Sequence, residues 1–401
     1  MLDHVREAFN ANFTEEKYQN FLKDIQQKYN YTPKFRIAET PVFIDKTLKA
    51  KLIEACNDIL KVIESPNFKD MTEGAFLDPT HKIPNENNVP KFLQFDFGIC
   101  DDGHGGLIPK LIELQGFPSL YGFQIFLNYM FRKHFGKVIP KYYSQHIQGI
   151  SVDEYIDMLK HEIVGDTNPK QVALLEINPH GQTTAVDFYV TRDLLGIEIV
   201  DVKDIIKKGR SLYYTNGAGQ EIQIKKIFNR VIFDELYQQD DLEMSFSFQD
   251  DLDIEWIGHP NWFFRISKFL LPHLSGKYVP ETFFLDKLEE LPENLENYVL
   301  KPMFSFAGAG VHIHVTPEII DSIADKSNYI LQEKVSYAPI VKTKDVNAKF
   351  EVRMICIHNS KTNKIELANN LVRLSKGEMV GVKYNKDKTW VGASIAYFEN
   401  E

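Results

Sequence analysis

The chain has 401 residues, of which 43% are hydrophobic and 25% are charged, and its formal net charge is −10 at pH 7. This length predicts two or three packed units, and the 29 Phe and 18 Tyr supply enough apolar surface to exclude a disordered chain. The acidic balance argues against general nucleic-acid binding, although it does not exclude a local cationic pocket for phosphate.

Cysteine usage and hydropathy indicate the compartment. Cys56, Cys100 and Cys356 are far apart and form no C-x-x-C pair, which argues against a disulfide framework and a structural zinc site and favours a reducing environment. The first residues include acidic side chains and lack the apolar run of a signal peptide. No window reaches the ~18 apolar residues of a membrane span. We therefore predict a cytoplasmic protein with neither nucleic-acid nor membrane partners.

Helical spacing of apolar residues dominates the beginning of the chain. A helix is predicted after a Thr14 cap, and a second one from Asp45 to Glu64. From about Pro90 the period changes to that of strands, because KFLQFDFGIC and GLIPKLIELQ flank the turn-prone sequence DDGHGG. This pattern predicts a β-hairpin that follows an N-terminal helical segment.

Helices and strands alternate along the middle of the chain, which predicts an α/β protein with a partly parallel sheet. The predicted helices are 120–135, 152–163 and 184–195, and the predicted strands are VALLEI, GIEIVD, a hairpin about Asn216-Gly217, and KIFNRVIF. After Trp256 the sequence predicts a helix from Asn261 to Leu274, the strands NYVLKP, VHIHV, NYILQEKV, AKFEVRMICI and KIELANNLVRLS, and a terminal hairpin WVGASIAYF.

A lysine and two glycines stand close together in NYVLKPMFSFAGAGVHIHV. A strand delivers Lys301, Pro302 ends its pairing, and Gly308 and Gly310 follow. Glycines let backbone N–H groups approach an anion, and lysine adds a positive charge, so this loop is typical of a phosphate site. A plain hairpin with a flexible tip also explains the glycines.

Two further segments are weaker pointers to a nucleotide. YILQEKV, residues 329–335, is an apolar strand with a polar end that can line a purine pocket, although an ordinary edge strand has the same pattern. Lys268 lies among apolar residues of a predicted helix. Such a lysine either reaches into a site or extends its ammonium to solvent.

Acidic and amide side chains mark the early hairpin. Asp96 and Glu113 meet if the two strands pair about the turn, and Gln115 shares a strand face with Glu113. Two carboxylates and an amide oxygen suit magnesium. Paired acids on a hairpin are also common as solvated groups, so both interpretations are open at this point.

The order of these motifs resembles the circularly permuted ATP-grasp ligases, a group similar to the glutathionylspermidine synthetases and the eukaryotic-type glutathione synthetases. The resemblance covers about residues 90–400. It implies an ATP-grasp-like α/β (α+β) fold with a nucleotide cleft between two β-containing lobes. The implied division is an N-terminal helical segment (1–88), a metal-binding hairpin with helices (89–165), a substrate-side subdomain (166–255) and a nucleotide-binding lobe (256–401).

The resemblance also implies roles for individual residues. Metal ligands would be Asp96, Glu113 and Gln115, the last standing where the family usually has asparagine. ATP would be bound by Lys268 and Lys301, by Gly308 and Gly310 in a mobile lid, and by an adenine hinge formed by Gln332, Glu333, Lys334 and Val335. Substrate would be oriented by Arg230, Arg353 and the loop at Ser119. Gln94 departs from the arginine of the glutathionylspermidine synthetases, and the lid lacks the family's usual arginine and acid.

The implied function is an ATP- and Mg²⁺-dependent carboxylate–amine ligase that forms an amide bond through an acyl phosphate. Its partners would be a small-molecule or peptide carboxylate and an amine. Two alternatives stay open: an ATP-dependent phosphotransferase, and a non-catalytic nucleotide-binding protein. The sequence alone distinguishes neither the substrates nor the oligomeric state.

Overall fold

The computed structural model describes residues 3–239, 241–305, 308–381 and 384–400. The helices are α1 (Asp3–Asn12), α2 (Glu15–Tyr29), α3 (Lys46–Ile63), α4 (Phe68–Met71), α5 (Phe123–Phe135), α6 (Val152–Ile163), α7 (Ala185–Leu195), α8 (Phe233–Tyr237), α9 (Asn261–Arg265) and α10 (Pro317–Ser322). The first nine strands are β1 (Val42–Ile44), β2 (Phe92–Asp101), β3 (Leu107–Gln115), β4 (Tyr143–Ser144), β5 (Val172–Glu176), β6 (Glu198–Asp201), β7 (Ile206–Lys208), β8 (Ser211–Thr215) and β9 (Glu221–Ile224). They are followed by β10 (Lys226–Asn229), β11 (Glu255–Ile257), β12 (Thr282–Phe284), β13 (Tyr298–Pro302), β14 (Tyr329–Glu333), β15 (Lys349–Asn359), β16 (Lys364–Ser375), β17 (Gly392–Ser394) and β18 (Ala396–Glu399).

An antiparallel sheet in the order β17-β16-β15-β2-β3 forms the centre of the molecule. The predicted hairpin is confirmed: β2 and β3 pair about a turn in which the Asp102 carboxylate accepts hydrogen bonds from the N–H groups of His104 and Gly106. Asp96 is paired with Glu113 on one side and with Arg353 on the other. The register therefore sets three charged residues in one row across the sheet.

A second sheet is parallel, in the order β11-β10-β5-β6. It confirms the α/β alternation predicted for the middle of the chain, since α7 connects β5 to β6. Helix α6 starts at a capping box in which Ser151 and Glu154 bond each other's backbone N–H. The residues of β5 are buried throughout, as expected of a parallel strand covered on both faces.

A small antiparallel sheet, β12-β14-β13, carries the candidate nucleotide residues. In it, Lys301 of β13 pairs with Ile330, and Gln332 of β14 pairs with Val299. A fourth sheet joins the beginning and the end of the described chain, because β18 lies between β1 and β4.

The predicted N-terminal helices are confirmed. Thr14 caps α2 by accepting from the N–H of Lys17, and Asp45 caps α3 by accepting from the N–H of Leu48. The first two helices bury aromatic rings against α5, with the rings of Phe21 and Phe131 4.9 Å apart. The N-terminal segment is thus part of the common core.

Four details of the predicted elements are wrong. The helix from Asn261 to Leu274 is broken, because α9 ends at Arg265 and residues 268–273 form a 3₁₀ turn that contains Pro272. VHIHV forms only a single bridge between His312 and Leu300. The strand KIFNRVIF ends at Asn229, and the terminal hairpin is absent because β17 pairs with β16 whereas β18 pairs with β1.

No helix in the described part of the chain combines the length and the apolar character that crossing a bilayer requires. The division into four parts at residues 88, 165 and 255 stays a prediction.

Candidate functional site

Asp96 lies on β2, between β15 and β3 of the main sheet, and is only 1% exposed. Arg353 donates to both of its carboxylate oxygens, at 2.6 and 2.7 Å, and Arg373 donates to Oδ2 at 2.7 Å. Burial opposes the ionisation of Asp96, but attraction to the two guanidinium groups outweighs it and lowers its pKa. The structure thus places Asp96 and Arg353, two predicted site residues, in direct contact.

The same charge network continues to Glu351. Arg373 bridges Asp96 to Glu351, at 2.8 Å from Glu351 Oε2, and the hydroxyl of Tyr337 donates to Glu351 Oε1. Burial raises the pKa of Glu351, although Arg373 opposes the shift. Two arginines and two carboxylates therefore form a balanced cluster inside the sheet.

Lys268 is buried and lies beside Glu113. Of the two interpretations of this lysine, an ammonium extended into solvent is therefore wrong. Its Nζ is 3.1 Å from Glu113 Oε1 and donates to the carbonyl of Ser305 at 2.8 Å. Ser267 caps the 3₁₀ turn by accepting from the N–H of Phe269, so Lys268 begins a fixed turn. The two contacts connect the hairpin to the loop that follows β13.

Lys301 is the second buried lysine of the site. Its Nζ donates to the carbonyl of Ile112 at 3.0 Å and to Gln332 Oε1 at 2.5 Å. Burial lowers its pKa to about 8, and the negative charge of Glu113 opposes the shift. Because Ile112 lies on β3 and Gln332 on β14, the Lys301 ammonium connects the central sheet to the small sheet by hydrogen bonds.

A small cavity of about 20 Å³ lies beside Lys268 and Glu113. Its polar lining includes Glu113, Gln115, Lys268 and Ser305. Gln115 Oε1 and Ser305 Oγ are buried and have no hydrogen-bond partner among the described residues. The volume accommodates about one water molecule, whereas drug-sized ligands occupy roughly 300 Å³ or more. The cavity is therefore far smaller than a nucleotide, and two unpartnered oxygens lie at its wall.

The fit of magnesium to the predicted ligands is partial. Glu113 and Gln115 offer a carboxylate and an unpartnered amide oxygen, which suit a hard cation that takes further ligands from phosphates and water. Asp96 differs, since guanidinium groups engage both of its oxygens. In the described residues no group of three or more His, Cys, Asp or Glu is arranged to hold a metal ion.

At a different part of the site, Asp187 links Arg230 to the loop that carries Ser119. Arg230 NH1 lies 3.0 Å from Asp187 Oδ2, while Asp187 Oδ1 accepts from the N–H groups of Gly122 and Phe123 at 2.9 Å. The carbonyl of Ser119 accepts from Gln94 Nε2 at 2.6 Å. Asp187 was not predicted; its only signal in the sequence is an acid inside the apolar run of α7.

Two other acids near the site also escaped the sequence analysis. Burial raises the pKa of Glu176, at the end of β5, to about 8, and nearby Arg230 opposes the shift. Burial raises the pKa of Asp234 to about 6, and the positive charge of Lys268 opposes the shift. Asp234 Oδ1 has no partner in the described part of the chain. The acids directly after KIFNRVIF were the available signal for Asp234.

The predicted lid and hinge are only partly described. Gly308 and Gly310 adopt φ values of 75° and 69°, which favour glycine, whereas Phe306 and Ala307 lie outside the described residues. The hinge begins inside β14 at Gln332 and Glu333 and continues past the end of that strand through Lys334 and Val335. Their roles in nucleotide binding stay predictions.

Comparison with known proteins assigns the fold. The chain is similar over 96% of its length, and over 96% of the other chain, to a glutathione synthetase-like effector from Globodera pallida, with a TM-score of 0.60 and 11% identity. The fold is glutathione synthetase-like. A candidate gamma-glutamylcysteine synthetase from Methylobacillus flagellatus is a weaker match, with a TM-score of 0.36, 12% identity and coverage of 84% and 83% of the two chains. No protein-family model and no curated protein matches the chain.

This glutathione synthetase-like fold confirms the predicted mixed α/β class and its ATP-grasp type. At 11% identity the likeness concerns the fold alone. Circular permutation, nucleotide binding and catalysis stay predictions.

Proposed function

We propose that the protein is an ATP-dependent carboxylate–amine ligase that forms an amide bond, through an acyl phosphate, on a small molecule or peptide. The observation that supports this most is the convergence of two buried lysines with Glu113 and Gln115, which come from three segments remote in sequence. The ammonium of Lys268 lines a small cavity, and that of Lys301 is bonded to the carbonyl of Ile112, next to Glu113. Two buried ammonium groups in one site are suited to a polyphosphate, and the fold is glutathione synthetase-like.

In this proposal, Lys268 and Lys301 neutralise the phosphates. Both now donate to protein acceptors, the carbonyls of Ser305 and Ile112 and the side chains of Glu113 and Gln332. Phosphate oxygens would replace some of these acceptors, because they bind ammonium groups more strongly than neutral carbonyls do. The loop that contains Gly308 and Gly310 would exclude water.

Glu113 and Gln115 would hold Mg²⁺, which supplies charge neutralisation for phosphoryl transfer. Arg230, Arg353 and the loop at Ser119 would orient the carboxylate substrate. The γ-phosphoryl group would pass to that carboxylate, and the amine would then displace phosphate. No covalent protein nucleophile is required, since positioning and charge stabilisation supply most of the acceleration.

A second candidate is a non-catalytic protein that binds nucleotide. It is favoured by the size of the cavity, about 20 Å³, and by the protein acceptors that already engage both lysines. The two candidates differ in turnover and share nucleotide binding.

The test combines ATP and Mg²⁺ with a panel of amino acids, dipeptides and polyamines, and measures phosphate release together with product mass. The ligase proposal predicts free phosphate and an amide only with both co-substrates. Lys301→Met should abolish turnover, whereas Lys361→Met, at an exposed position, should not. A phosphorylated acceptor would instead establish a phosphotransferase.

Thermal unfolding with ATP and Mg²⁺ separates the remaining outcomes, because a ligand of the native state raises the melting temperature by mass action. A raised melting temperature without turnover would favour the non-catalytic protein. An unchanged melting temperature would contradict both candidates.

A further inference from the structure

Arginine side chains engage both oxygens of the buried Asp96 carboxylate. Three hydrogen bonds from Arg353 and Arg373, all between 2.6 and 2.7 Å, engage both of its oxygens. An ionised carboxylate accepts about four hydrogen bonds in total, so the arginines occupy most of its acceptor capacity. Because the group is 1% exposed, no solvent face remains from which a hydrated cation could approach.

The pairing of three neighbouring strands produces this arrangement. Arg353 is directly opposite Asp96 across β15 and β2, and Arg373 is directly opposite Glu351 across β16 and β15. Arg373 then reaches both carboxylates, Asp96 at 2.7 Å and Glu351 at 2.8 Å. Strand register is a rigid constraint, so the contacts follow from the sheet and not from a mobile side chain.

Charge also opposes a metal ion at this position. Asp96 and Glu351 balance Arg353 and Arg373, whereas a divalent cation on Asp96 would add two positive charges beside the buried guanidinium of Arg353 and the partly exposed one of Arg373. Its cost would be high, since charges interact strongly where solvent is excluded. Glu113 and Gln115 are not bonded to arginine in this way. Glu113 has one lysine partner, and Gln115 Oε1 has no partner in the described chain.

We infer that Asp96 is a positioning residue that holds Arg353 and Arg373 in the site, and that it is not a magnesium ligand. The metal would then be held by one carboxylate and one amide of the protein, Glu113 and Gln115. The part of this inference that concerns magnesium rests on the proposed function, whereas the part that concerns the arginines does not.

The first experiment measures the melting temperature of the full chain without nucleotide. Asp96→Asn keeps the shape of the side chain but leaves the buried guanidinium of Arg353 without its carboxylate, so we expect a decrease of about 5 °C. Adding Arg353→Met to Asp96→Asn should restore at least half of the loss. Asp101→Asn, at the exposed end of the same strand, is the matched control and should change the melting temperature by about 1 °C or less.

The second experiment separates positioning from metal binding. ATP affinity is measured with excess Mg²⁺ and again with EDTA, and the ratio of the two affinities reports the contribution of the metal. For a positioning residue, Asp96→Asn with Arg353→Met weakens both affinities and keeps the ratio within about twofold of the wild type. Glu113→Gln, which replaces the one expected carboxylate ligand by a neutral amide, should reduce the ratio by about tenfold or more.

The outcomes are distinct. A ratio that falls in the Asp96 variants as far as in Glu113→Gln would identify Asp96 as a metal ligand and overturn the inference. A wild-type melting temperature for Asp96→Asn would overturn the positioning role. If Asp96→Asn does not fold while the double variant does, the positioning role is supported. If the wild type does not bind ATP, the proposed function fails, and the melting temperatures still decide the positioning role.

Discussion

The carboxylate of Asp187 lies 3.0 Å from the guanidinium of Arg230, and the two side chains are 2% and 3% exposed. The same carboxylate accepts hydrogen bonds from the N–H groups of Gly122 and Phe123, where α5 begins. A single ion pair therefore connects the end of the parallel sheet to the loop that carries Ser119. The position of that loop depends on a charge pair within the core.

Asp187→Asn should lower the free energy of unfolding by about 3–5 kcal/mol, because it leaves the buried Arg230 without a counter-charge. Urea denaturation measures the change. Asp193→Asn on the same helix is the control, since its pair with Arg192 is exposed and should contribute less than about 1 kcal/mol. Equal losses for the two variants would contradict the importance of burial.

Gly116→Ala should destabilise the end of β3 beside the cavity. An added Cβ would lie 2.1 Å from the carbonyl oxygen of Trp262, a backbone atom that cannot rotate away. We expect a loss of about 1–3 kcal/mol on denaturation, as for other overpacked positions. Gly217→Ala meets no atom within 4 Å and should differ little from the wild type. A stable Gly116→Ala protein would show that β3 and α9 can separate at no cost.

Gln115→Leu should separate stability from ligand binding. The substitution removes a buried oxygen that has no partner in the described chain, so the free energy of unfolding should rise by about 1 kcal/mol. The Mg²⁺-dependent part of ATP affinity should fall at the same time, because the amide is an expected ligand. A loss of stability measured by denaturation would mean that Gln115 has a structural partner.

Lys301 should make stability depend on pH. Burial lowers its pKa to about 8, whereas the unfolded residue titrates near 10.5. Below about pH 8 both states are protonated, and the folded state bears the full cost of the buried charge. Between about pH 8 and 10 the folded state binds fewer protons than the unfolded state, so the free energy of unfolding rises with pH.

Relative to Lys301→Met, the wild type should therefore gain roughly 2 kcal/mol between about pH 7 and pH 10. Denaturation curves of the two proteins across this range measure the difference and cancel the titration of other groups. Parallel pH profiles would show that the pKa of Lys301 is not lowered by burial.

The local elements were predictable where one short segment determines the structure. Helix α6 has its predicted bounds, Val152–Ile163, because Ser151 and Glu154 specify its first turn. The β2–β3 hairpin was predictable because strand-like runs flank a turn-forming sequence. The helix predicted from Asn261 failed for an equally local reason, since Pro272 and the Ser267 cap favour a 3₁₀ turn over a continuous helix.

The sequence indicated some residues of the candidate site, but it indicated neither their pairing nor the acids Asp187, Glu176 and Asp234. Spacing and motif order indicated Glu113, Lys268 and Lys301, and the structure brings these residues together. The bond between Arg353 and Asp96 joins residues 257 positions apart. It depends on the register of two strands, which is determined by the packing of the whole sheet and not by local sequence.

Strand β18 lies between β1 and β4, and Val42 is paired directly with Ala396. During synthesis, β1 leaves the ribosome long before β18 has been translated. Its apolar residues therefore stay without their partner strand while more than three hundred further residues are added. Nascent chains with such delayed partners are vulnerable to association with one another. Producing this protein in quantity should therefore benefit from slow translation or from chaperones that cover this strand.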